Sequence, residues 1–119
     1  VVTLADMAGS VVAGGTFDLG GADERGFVQM FDSTGETVWT LEPEGVSTVT
    51  AVAADGAEKL YVLGAGAEVD LLLSLDGAGN ELWRYRFRAG LAVQQLEITE
   101  AGPVVAGTDG NVWLGWLAP

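Results

Sequence analysis

The stretch FDSTGETVW occupies residues 31–39, and LDGAGNELW occupies residues 75–83. Both follow the pattern Asp-x-x-Gly-x-x-apolar-Trp: Asp32, Gly35 and Trp39, then Asp76, Gly79 and Trp83, spaced by 76 − 32 = 44 residues. Each copy comes after a short apolar run, FVQMF (27–31) or LLLSL (71–75). An Asp side chain that opens a tight turn can accept hydrogen bonds from backbone N–H groups two residues on. A Gly three positions later supplies the positive φ that the turn requires. The pattern therefore predicts one hairpin built twice, with a Trp on each outgoing strand. On alternation alone, Trp39 shares a face with Thr37, and Trp83 with Glu81.

Working outward, a second pattern lies earlier in each unit. Apolar runs closing on Gly occur at 11–15 (VVAGG), 61–66 (YVLGAG) and 104–107 (VVAG), each preceded by another short run at 1–5, 49–54 or 93–98. Runs of this length between Gly, Asp and Asn read as strands. The expectation is eleven strands and no helix, in units of about 1–44, 46–88 and 91–119, the third ending after its third strand at WLGWL (113–117). Aligning Gly14 with Gly64 gives a spacing of 64 − 14 = 50, which assigns six extra residues to the first unit within DLGGADERG (18–26).

Composition narrows the function. A hydrophobic fraction of 49 % supports a packed core, and 18 glycines in 119 residues suit a turn-rich all-β chain. A net charge of −12 with five basic residues opposes binding to a nucleic-acid backbone or an anionic membrane. No apolar run approaches the length of about 18–20 residues that spans a bilayer as a helix. The absence of His and Cys removes Ser-His triads, thiolate chemistry, disulfides and the usual zinc sites. The turns DGAGN and TDGN lack the alternating ligands of an EF-hand loop. No metal, cofactor or catalytic residue is assigned.

Units of about 40–45 residues and four strands are the size of β-propeller blades. FVQMFDSTGETVW and LLLSLDGAGNELW resemble the outer hairpin of quinoprotein-like (pyrroloquinoline-quinone-type) propeller repeats. VVAGGTF and ITEAGPVVAGTDGNVW are similar to related bacterial outer-surface repeats. The resemblance implies three consecutive four-stranded antiparallel blades, the last lacking its outer strand, and an extracellular or cell-envelope location. It also implies that the loop bearing Asp18, Asp23, Glu24 and Arg25 lies on the ligand-carrying face.

Three blades are fewer than the four to eight of a closed ring. The expected function is thus a non-catalytic binding or scaffold module. It would complete a ring with another copy, giving six blades, or belong to a longer propeller. The alternatives are a fragment of a quinoprotein-like enzyme and a carbohydrate-binding, lectin-like propeller. In ELWRYRFR (81–88), Arg84, Arg86 and Arg88 alternate with Trp83, Tyr85 and Phe87. This stripe is expected to meet acidic residues of an adjacent unit or copy, with Trp113 and Trp116 at packing or interface positions.

Overall fold

The computed structural model describes residues 3–7, 9–18, 24–55, 59–66, 68–99, 102–108 and 112–116. The chain is all-β. The first sheet comprises β1 (Thr3–Met7), β2 (Ser10–Asp18), β3 (Glu24–Phe31) and β4 (Thr37–Leu41). The second comprises β5 (Thr48–Asp55), β6 (Lys59–Ala65), β7 (Asp70–Asp76) and β8 (Glu81–Arg86). In the third, β9 (Ala92–Thr99), β10 (Gly102–Thr108) and β11 (Val112–Trp116) follow. Within every sheet the strands lie in chain order and pair antiparallel. The whole is a slab of 44 × 42 × 21 Å.

The repeated turn has the chemistry its sequence requires. The Asp32 carboxylate accepts from the N–H groups of Thr34 and Glu36 at 2.9 and 3.0 Å. That of Asp76 accepts from Ala78 and Asn80, both at 2.9 Å. Gly35 donates its N–H to the Asp32 carbonyl and Gly79 to that of Asp76, with φ of 89° and 87° at the two glycines. A side chain resists that φ because its Cβ crowds the backbone carbonyl.

After the turn the register slips by one residue in both copies. Met30 pairs with Trp39 but Phe31 with Thr37, and Ser74 pairs with Trp83 but Leu75 with Glu81. The extra residue, Val38 or Leu82, is a β-bulge. It puts Trp39 and Thr37 on opposite faces, and likewise Trp83 and Glu81, against simple alternation.

The sheets pack face to face through two apolar clusters. Val12, Val28 and Met30 of the first sheet meet Leu60, Val62, Leu73 and Leu75 of the second. On the other face of the second sheet, Tyr61, Leu63 and Leu72 meet Val93 and Val105 of the third. Buried on both sides, β6 and β7 have no polar face to present, which is why LLLSL reads as an apolar run broken only by buried Ser74.

The 44-residue offset holds through the outer hairpins: the pair Val28–Leu41 maps onto Leu72–Tyr85. For the second strands the register corrects the glycine alignment. Gly14 pairs with Val28 and Leu63 with Leu72, so the offset is 63 − 14 = 49 and the counterpart of Gly64 is Gly15. The correction matters because a one-residue slip exchanges the faces. Gly14 faces forward, where a Cβ would stand 2.6 Å from Val49 Cγ1, whereas a Cβ on Gly64 would strike Val46 on the opposite side.

Trp39 carries the first sheet onto the second. Its indole Nε1 donates to the Gly77 carbonyl at 3.1 Å, and its ring covers Gly79 so closely that a Cβ there would lie 2.9 Å from Trp39 Cδ2. Around Gly35 a Cβ would meet nothing within 4 Å. Gly35→Ala and Gly79→Ala should each cost about 1–2 kcal/mol for the strained φ. The second should cost a further 1–3 kcal/mol, roughly, by overpacking against the indole. Urea midpoints measure both, and equal losses would show that Trp39 does not rest on this turn.

Candidate functional site

One end of the slab gathers the connections between sheets. The β4–β5 link is pinned where Gly26 N–H donates to the Val46 carbonyl at 3.0 Å. Ser47 adds two bonds to the Ala65 carbonyl, from its N–H at 2.9 Å and its hydroxyl at 3.0 Å. Thr16 Oγ1 donates to Thr48 Oγ1 alongside. The β8–β9 link is held by Asp70, whose carbonyl accepts from Phe87 N–H and whose Oδ2 accepts from Val93 N–H at 2.8 Å. The β6–β7 loop lies between the two links and closes on itself through Gly66 N–H to the Val69 carbonyl.

Two adjoining clefts flank that loop. The first has a volume of about 280 Å³ and lies between Gly45, the β6–β7 loop and the arginines of β8; the second, about 300 Å³, lies between that loop and Gly90–Ala92. Leu71, which is buried, floors the first cleft, with Arg84, Arg86 and Glu68 at its rim.

The arginine stripe divides in three. Arg84 holds Glu81 through Nε and Nη2, the shortest contact being 2.6 Å, and donates from Nη1 to the Glu44 carbonyl at 2.8 Å. The carboxylate beside it raises its pKa above the ordinary value. The bulge at Leu82 makes the pair possible by turning Glu81 to the side of Arg84. This arginine therefore serves contacts within its own chain. Arg86 has no hydrogen bond or ion pair with a described residue and stands at the cleft rim. Arg88 is exposed on the link to β9.

The remaining expected site residues fall elsewhere. Asp18 and Glu24 pair at the end of the β2–β3 ladder and Arg25 is exposed on β3. Asp23 lies outside the described residues, as do the side chains of Asp18 and Glu24. Trp113 pairs with Gly107 and Trp116 with Val104; their side chains also lie outside the described part. Trp83 stands beside Tyr61, ring centroids 6.2 Å apart, and packs against the cluster joining the second and third sheets. The buried oxygens of Tyr61, in that cluster, and of Ser74, which pairs with Trp83, have no hydrogen-bond partner among the described residues. Burial, and then the charge of Asp55, raises the pKa of the Tyr61 hydroxyl. Among the described residues no three acidic groups converge as a metal site would require, and no helix is long and apolar enough to cross a membrane.

No family model matches the chain, and no curated protein does. Among solved structures it is similar to a protein of unknown function from Bacteroides caccae, a crystal structure at 1.35 Å resolution, with a TM-score of 0.64 at 16 % identity. The match covers 98 % of this chain and 45 % of the other, so this chain spans less than half the length of its match. The likeness is one of fold.

The turn carboxylates give the site-bearing sheets a pH dependence. Asp32 is held below its ordinary pKa of 3.8, first by the Thr34 hydroxyl and then by backbone N–H groups. The pKa of Asp76 is lowered first by the Asn80 backbone N–H and then by its side-chain amide. A carboxylate whose folded pKa is depressed stabilises above the unfolded pKa, and that contribution is lost as pH falls through the folded one. The melting-temperature gap between the parent and an Asp32→Asn/Asp76→Asn variant should therefore be widest above about pH 5 and shrink steadily as pH falls below the ordinary carboxylate range. A gap constant from neutral to pH 2 would show that the ionised forms do not hold the turns.

Proposed function

We propose that this chain is a non-catalytic binding or scaffold module of β-propeller type, and that it completes a ring with a second copy. The observation that carries the reading is the burial of the middle sheet on both faces while its neighbours are each covered on one. The first sheet turns Val12, Val28 and Met30 inward. Leu4 and Val11 lie on its opposite face, 66 % and 41 % exposed. The third sheet turns Val105 and Leu96 inward, and its other face carries half-buried Val104 and Ala106 beside exposed Gln95 and Glu97. An apolar face left open on a small domain favours association.

Two further features support the reading. The sheets approach one another along their first strands, β1 against β5 and β5 against β9, as wedges do around an axis. The structurally similar Bacteroides caccae chain is more than twice as long, leaving room for a second set of sheets. A two-fold pair of this chain would bring six sheets together, within the usual range of closed rings.

Light scattering on the purified chain tests the proposal. At about 10 µM, where an interface of micromolar affinity is substantially formed, the expected mass is twice that of the 12.3 kDa chain. Leu4→Glu/Val11→Glu should return it to monomer without loss of the β-sheet circular dichroism. A parent chain that remains monomeric at that concentration contradicts ring closure by self-association.

A further inference from the structure

We infer that the cleft between Gly45, the β6–β7 loop and Arg86 is a binding site for a small monocarboxylate with an apolar body. The cleft is built within one chain, so the inference stands apart from the ring-closure proposal.

Four observations converge. First, the two outer hairpins are structural repeats, yet the positions of Arg84 and Arg86 correspond, at the 44-residue offset, to Thr40 and Glu42. The same scaffold position thus carries two cations in one unit and an anion in the other, a difference the fold does not demand. Second, Arg86 keeps its guanidinium unpaired among the described residues in a chain of 17 acids. Its neighbour Arg84 is instead fixed by Glu81 and the Glu44 carbonyl. Third, the walls are preformed. Ser47 and Val46 pin the link that carries Gly45, and Gly66 N–H closes the opposite loop. Any Cβ at Gly66 would lie 2.7 Å from the Val69 carbonyl oxygen and 3.1 Å from that of Gly45. Fourth, the floor is apolar, formed by buried Leu71 with Val69 beside it.

The ligand class follows from charge and shape. A free guanidinium fork matches one carboxylate through two parallel N–H···O bonds. Glu68 on the same rim and a net charge of −12 oppose dianions such as phosphate. The volume of about 280 Å³ is near the lower end, roughly 300 Å³, of small-molecule pockets, room for one ring or a short alkyl chain over Leu71. The bound carboxylate would share the cleft with Arg84, whose charge adds to the attraction although its Nε, Nη1 and Nη2 each already donate within the chain.

Amide chemical-shift titration with benzoate, and separately with inorganic phosphate, tests the site. Benzoate should move the amides of Gly45, Gly66 and Leu71 in a saturable way, with a Kd of about 1 mM for a single fork and one ring. Phosphate at the same concentrations should not. Arg86→Gln, an exposed change that leaves the fold intact, should weaken benzoate about tenfold or more. Arg25→Gln, which removes an equal charge from β3, should not. Absence of saturable shifts at these amides overturns the inference. So does equal response to phosphate, or equal weakening by the two variants, since either would mean only diffuse attraction to positive charge.

Discussion

A sheet that is apolar on both faces cannot stand alone in water, and the second sheet of this chain is such a sheet. Leu60, Val62, Leu73 and Leu75 fill one side of it, and Tyr61, Leu63 and Leu72 the other. Removing these side chains from water is the main favourable term available to a chain without disulfides. It obliges the first and third sheets to lie against opposite faces of the second. The links that run between sheets are then gathered at one end, where the clefts form, and the outer hairpins at the other.

The outer hairpins also join one sheet to the next. Asp32 and Asp76 fix the turns through their carboxylates, and the bulges that follow swing a Trp toward the neighbouring sheet. For Trp39 the receiving surface is the turn of the next unit, with a carbonyl for the indole N–H and a glycine beneath the ring. Trp83 holds the corresponding position one sheet on, against Tyr61 and the second cluster. The second unit thereby supplies both a seat, the turn under Trp39, and an anchor of its own, Trp83.

Much of the scaffold was legible in the sequence because strand runs and turn residues are local. Asp-x-x-Gly announces its turn wherever it stands, and eleven short apolar runs gave the order of the strands. Face assignment was not equally local. Gly14 and Gly64 look equivalent in a chain rich in such runs, but cross-strand pairing puts Gly15 opposite Phe27 and Gly64 opposite Leu71. Only the register distinguishes them. The Glu81–Arg84 pair was hidden for a related reason: strict alternation separates those residues, and the bulge that reunites them carries no residue signature at Leu82. The cleft draws on Gly45, the β6–β7 loop and β8, segments that only the folded chain brings together. Its one visible trace was the arginine cluster, which the sequence directed outward to another unit and the structure directs in part to Glu81 and the Glu44 carbonyl.

Native-state hydrogen exchange is the most direct test of the claim that the doubly buried second sheet organises the rest. The amides pairing β6 with β7 should exchange only through global unfolding, with one common opening free energy equal to that from urea denaturation. Amides of β4 and β8, at the sheet edges, should open at lower free energy. Exchange of the β6–β7 amides as fast as those of β4 and β8, or by an opening well below the global value, would contradict the account.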